Sequence, residues 1–197
     1  MLPPYFIFLI IPLKIVALIV CVDGMFLGKL KPDRISLALW SLPPMIGFAT
    51  AISSGSGLAA IPVLLAAVAP LGLLVLSLFS KNGAWKIRRI DYICAVFAMM
   101  AITVWIFSQS LFWATFFAVL ADVWASIPTI AKAWTNPETD SLWIYVFSGL
   151  GNMLGLGILT VWNFASAGFS VYLVLLSIIM ITVLLRKKIW KPQLRHV

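Results

Sequence analysis

Residues 58–79, LAAIPVLLAAVAPLGLLVLSLF, run for 22 positions without one charged side chain. A helix needs about 20 apolar residues to cross the hydrocarbon core of a bilayer, at about 1.5 Å per residue. The run is far longer than the roughly 10-residue alternating segments of an outer-membrane barrel, so helices are the structures left that satisfy their own backbone in lipid. The whole chain agrees with this segment. Of its 197 residues 63% are hydrophobic and only 10% charged, and the mean hydropathy is +1.10. So little polar surface cannot cover a soluble domain.

Working outward from 58–79, the same pattern predicts further spans near 4–27, 36–53, 91–108, 111–133, 141–162 and 168–185. The segments between them alternate in charge. GKLKPDR, SKNGAWKIRR and the tail RKKIWKPQLRHV are rich in Lys and Arg, whereas SSGSG, FSQS and NFASAG carry no charge. Seven spans put every basic segment on one side of the membrane, with the N-terminus outside and residues 186–197 forming a basic cytoplasmic tail. Lys132, Glu138 and Asp140 fall on that same side, where acids count little. The membrane implied is a plasma or bacterial inner membrane. Trp105, Trp113 and Trp162 fall near the predicted outer boundary and Trp85, Trp134 and Trp190 near the inner one, as interfacial belts. The N-terminal MLPPYFIFLIIPLK has no basic n-region or small-residue cleavage site and reads as part of the first span, with no soluble domain appended.

The formal net charge of +8 reports topology and not a nucleic-acid partner, because the basic residues sit in short loops and the tail. The two cysteines, Cys21 and Cys94, lie in or beside apolar stretches and the one histidine is His196, so neither a metal cluster nor a disulfide framework can be assembled. No Ser–His pairing, acid pair within one span, phosphate-binding glycine loop or H-E-x-x-H is present. The last span has no Lys to form a retinal Schiff base. The expectation is a protein that is not an enzyme and has no cofactor.

A weak internal repeat sets the domain organisation. At an offset of 105, KPDRISLALW (31–40) lies on NPETDSLWIY (136–145), matching proline, acid, Ser-Leu and a final aromatic. The same offset lays the first three spans over the last three. Units 4–79 and 111–185 then flank a linker helix at 91–108, and two units inserted the same way need an odd linking span. The expected fold is an all-α membrane protein of seven transmembrane helices, in two parallel three-helix units. This arrangement resembles the SWEET and PQ-loop superfamily of seven-helix transporters. In the second unit Pro128-Thr129 stands where that family has Pro-Gln, and the aligned position in the first unit is Asp23-Gly24. The resemblance implies hinges at Pro128 and Gly24. Neither 58–79 nor 168–185 holds the asparagine of the sugar-transporting members, so sugar specificity is not implied.

Two ionisable residues fall well inside predicted spans, Lys14 in the first and Asp122 in the fifth. A charge at the bilayer centre costs about 2.5–3.5 kcal/mol on translocon scales, so the two are expected to meet as an ion pair near the midplane and to line a substrate or ion pathway. The bland alternative is a clamp between helices, or a Lys14 that snorkels to the headgroups. Pro128 weakens the fifth span two turns from Asp122; Pro12 and the pair Pro43-Pro44 are expected to break the first and second. Such interruptions mark binding sites in transporters and also occur as static kinks. Asn152, flanked by Ser148, Gly149, Gly151, Gly155 and Gly157, reads as a close helix contact or a substrate ligand. Trp124, Trp40 and Tyr145 complete the candidate pathway; Trp40 and Tyr145 are repeat mates.

The function expected is a secondary carrier or facilitator of a polar small molecule by alternating access, proton-coupled if Asp122 exchanges a proton as the units rock. The alternative is a non-transporting receptor or assembly protein on the same scaffold, contacting a partner or anionic lipid through its basic tail. Membrane lipids are the expected surroundings, and an oligomer is left open.

Overall fold

The computed structural model describes residues 1–27, 34–79, 88–108 and 110–190, the side chains at 36, 101, 104, 105 and 187–190 aside. The basic segments at 28–33 and 80–87, the tail from 191, Trp85, Pro32 of the repeat motif, and the Trp105 and Trp190 side chains lie outside the described residues.

All regular elements among the described residues are helices: α1 (Ile7–Phe26), α2 (Arg34–Leu39), α3 (Leu42–Ser53), α4 (Ile61–Phe79), α5 (Arg89–Ile106), α6 (Leu111–Thr135), α7 (Leu142–Gly157) and α8 (Phe164–Trp190). Short 3-10 turns lead into α1, α4 and α7. Four helical stretches are long and apolar enough to cross a membrane: Pro4–Phe26, Gly57–Phe79, Leu111–Thr135 and Phe164–Arg186. At 23 to 25 residues each, they reach about 35 Å, enough for the hydrocarbon core. Leu37–Ser53 and Leu142–Gly157 are apolar but shorter.

The prolines act unevenly. The second span breaks beside Pro43 and Pro44, as expected: α2 ends at Leu39 and α3 starts at Leu42, because the two rings would clash with the carbonyls four residues back. Both prolines sit in the first turn of α3, where a missing N–H is no loss. Pro12 does not break the first span, because α1 runs through it. α6 likewise continues through Pro128. The sixth span stops at Gly157, short of the predicted 162. The last helix begins at Phe164 instead of 168, because Asn163 and Ser166 cap it reciprocally: Ser166 N–H donates to Asn163 Oδ1 (2.9 Å) and Asn163 N–H to Ser166 Oγ (3.0 Å).

Packing divides the helices into clear neighbours. α1 lies on α7 and, less closely, α4; α6 lies on α5, α8 and α3; α7 lies on α8, and α3 on α4. Glycines set how near these pairs come. A Cβ on Gly47 of α3 would sit 2.6 Å from ring atoms of the buried Phe169 on α8, and one on Gly149 of α7 would sit 2.9 Å from Ser177 Cβ. In lipid such close fits supply the association that the hydrophobic effect supplies in water. Thr115 donates to Thr50 Oγ1 (2.9 Å), tying α6 to α3. Trp113, Trp134 and Trp162 are all exposed, as interfacial rings should be. Arg186 lies over the Trp134 ring, 3.3 Å from its centroid, and donates to the Trp134 carbonyl.

Candidate functional site

Helical period places Lys14, Ala17, Leu18 and Cys21 on one face of α1, and Asp122, Thr129 and Lys132 on one face of α6. Both faces line a single cavity of about 390 Å³, closed by residues of every other helix except α5. Leu37, Trp40 and Pro44 come from the α2–α3 segment, Val68 and Gly72 from α4, Tyr145 and Ser148 from α7, and Leu173 and Ser177 from α8. The walls are mainly apolar, with the polar groups at a few points, and the volume lies in the range of ligand pockets.

The expected Lys14–Asp122 ion pair does not form: the ion pairs among the described residues are Arg88–Asp91 and Lys132–Asp140. The reason lies in the packing. α1 and α6 make no extended contact with each other: α1 packs on α7 and α4, and α6 on α5, α8 and α3. Lys14 instead donates to Ser148 Oγ on α7 (3.1 Å), and its stem lies against Gly151, where a Cβ would meet Lys14 Cε at 3.0 Å. Asp122 is 1% exposed, and its Oδ1 has no hydrogen-bond partner. The Tyr172 hydroxyl stands beside it without reaching hydrogen-bonding geometry. Two buried groups of opposite charge thus face one void from different walls.

Of the other residues singled out in the sequence, Trp40, Tyr145 and Pro44 also line this cavity, and Asn152, Trp124, Pro128, Gly24 and Pro43 do not. Trp124 stacks on Phe97 of α5, 4.9 Å between centroids. It cannot share a face with Asp122, since two residues turn a helix through about 200°. Asn152 donates to the Ser148 carbonyl (3.1 Å) and leaves Oδ1 buried and unbonded, next to Gly151, where the Lys14 stem fills the space. The Pro128 carbonyl accepts from Arg88 Nη2 (3.0 Å), which also holds Asp91, so the start of α5 is strapped to α6 at the proposed hinge. Gly24 is buried near the end of α1, which runs past it to Phe26.

The residues missed were Lys132 and Asp140, counted from sequence only as charges on the basic side of the membrane. Lys132 is 2% exposed and lies 3.7 Å from Asp140 Oδ2, which also accepts from the Tyr145 hydroxyl (3.1 Å). Asp140 Oδ1 accepts from the Ser141 N–H (2.9 Å). Together they form a charged floor at the end of the cavity where α6 finishes. The available signal was spacing: Lys132 lies ten residues, close to three turns, beyond Asp122. Ser177 was likewise unmarked, while Ser148 was noted only as a neighbour of Asn152 and Thr129 only as half of the Pro128-Thr129 motif.

Helices of this length and apolarity around a buried cavity define a multi-pass α-helical integral membrane protein. No family model matches the chain, nor does any curated protein or solved structure.

Proposed function

We propose that this protein is a secondary carrier or facilitator that moves a small molecule bearing polar groups by alternating access, with two parallel three-helix units joined by α5 as linker. The units are α1–α4 and α6–α8, in the manner of the SWEET and PQ-loop transporters that the sequence resembles. The N-terminus is outside, by the bias of Lys and Arg.

The observation that carries this reading is how the cavity samples the repeat. Four pairs separated by 105 positions, Ala17 and Asp122, Trp40 and Tyr145, Val68 and Leu173, Gly72 and Ser177, line it from equivalent places in the two units. The packing exchanges in the same way: α1 on α7 is matched by α6 on α3, and α1 on α4 by α6 on α8. A cavity between two related halves, with charged groups at mid-helix, is where parallel-repeat carriers hold substrate. Asp122 then contacts substrate or exchanges a proton as the halves rock, while Lys132, Asp140 and Tyr145 close the cytoplasmic end.

The test is access to the cavity wall. In protein with Cys21 and Cys94 replaced by Ala, single cysteines at Thr129 and Ser148 are treated with a membrane-impermeant thiol reagent from each side of sealed vesicles. A carrier labels from both sides. Access from one side only removes the carrier reading and favours a receptor or assembly role for the same scaffold.

A further inference from the structure

The cavity has a side opening. α1 and α4 meet near the start of the chain, where Ile7 and Ile10 pack with Ala59 and partly buried Ile61, and meet again where Cys21 packs with Leu73. Between these contacts both helices line the cavity with residues that stay exposed: Ile15 of α1 is 47% exposed and Val68 of α4 49%. A Cβ on Gly72, also exposed and also lining the cavity, would meet nothing within 4 Å. In a bilayer this window, closed above and below, opens into acyl chains and not into water.

Inside, the window leads to two buried groups whose bonding is incomplete. Lys14 spends one of its three N–H donors on Ser148, and Asp122 Oδ1 has no partner. Leaving charges so in apolar surroundings is costly unless a ligand completes them. An anionic group suits the ammonium and a protonated amine suits the carboxylate. The volume of about 390 Å³ takes a headgroup but not long acyl chains.

We infer that the substrate is an amphiphile whose headgroup carries both an anion and a protonated amine, entering from the bilayer through the α1–α4 window while its acyl chain stays in lipid. The inference rests on the carrier reading and narrows its substrate. Lys14 takes the anion and Asp122 takes the amine. A quaternary amine has no N–H to give Asp122, and an anionic lipid without an amine leaves that carboxylate unpartnered.

The experiment uses the full chain with Cys21 and Cys94 replaced by Ala and carrying Thr129→Cys, reconstituted in vesicles, with two-sided thiol access measured on the same preparation. Leaflet exchange of acyl-labelled phosphatidylethanolamine, phosphatidylcholine and phosphatidylglycerol is followed by dithionite quenching. Exchange of the ethanolamine lipid is expected to be faster by at least about tenfold, the worth of a hydrogen bond to a charged group. Asp122→Asn should erase that preference. Gly72→Trp should slow exchange by about tenfold by filling the window, and Ile15→Trp, which fills it from the other helix, serves as a second variant if the first fails to fold. Equal rates for the three lipids, rates no higher than in protein-free vesicles, or full exchange in well-folded window variants would overturn the inference. If thiol access is still two-sided, the carrier reading survives with a water-soluble substrate; one-sided access sinks the reading itself.

Discussion

Stability should separate two charges that face one cavity from two charges that pair. If Lys14 and Asp122 formed a buried ion pair, removing either partner would strand the other in an apolar interior and cost about 3–5 kcal/mol. They stand on different walls, and Lys14 is held by a single bond to Ser148. Lys14→Met keeps most of the stem that packs against Gly151 and removes the desolvated ammonium. Its expected effect is no loss of stability or a small gain, as when buried charges give way to apolar residues of like volume. Asp122→Asn keeps the shape and discharges a carboxylate whose Oδ1 has no partner, and should also be neutral or mildly stabilising. The double variant should equal the sum of the singles to within about 0.5 kcal/mol, since groups without mutual contact add. The assay is reversible unfolding in mixed detergent micelles, read by helix content and by tryptophan fluorescence, with coincident transitions required before free energies are compared. A loss of about 3 kcal/mol in Lys14→Met that Asp122→Asn reverses would refute the geometry, for that is the signature of a pair. Lys14→Met is expected to lower transport sharply and Asp122→Asn to remove its preference for an amine-bearing substrate. Stability kept and activity lost is the pattern of groups retained for function.

Two other outcomes follow from packing and from the cavity floor. Gly47→Ala drives a methyl to 2.6 Å from the buried Phe169 ring and should destabilise by about 1–3 kcal/mol; Phe169→Leu in the same chain should return part of that loss in the same unfolding assay. Tyr145→Phe removes the bond to Asp140 Oδ2, worth about 1.5–3 kcal/mol for a charged acceptor. It should also raise thiol labelling of Thr129→Cys from the side of the membrane where α6 ends, and unchanged labelling would mean that the floor is not a gate.

How far the sequence reached can be seen residue by residue. The helix 57–79 was legible because apolar length in lipid leaves the backbone no other solution, and the same held for 4–26 and 111–135. The extra turn at the start of α8 was also written locally, as Asn163 and Ser166, and was overlooked because capping residues there were masked by the apolar count. Trp124 was placed in the pathway although its position two residues from Asp122 turns it away from that face, toward α5. Lys132 was counted only as a topology charge, although from the last turns of α6 its stem reaches Asp140.

Local order and the solvent in which the chain lives were therefore contained in the order of residues, since apolar run length and backbone hydrogen bonding act within one segment. Which walls Lys14 and Asp122 occupy was decided by tertiary structure alone. That depends on helix neighbours, and these are chosen by close fits between residues on different helices, such as Gly47 beneath Phe169 and Gly149 against Ser177. The void between α1, α4 and α6 exists because those contacts hold the helices where no side chain fills the middle, and no single segment encodes that separation.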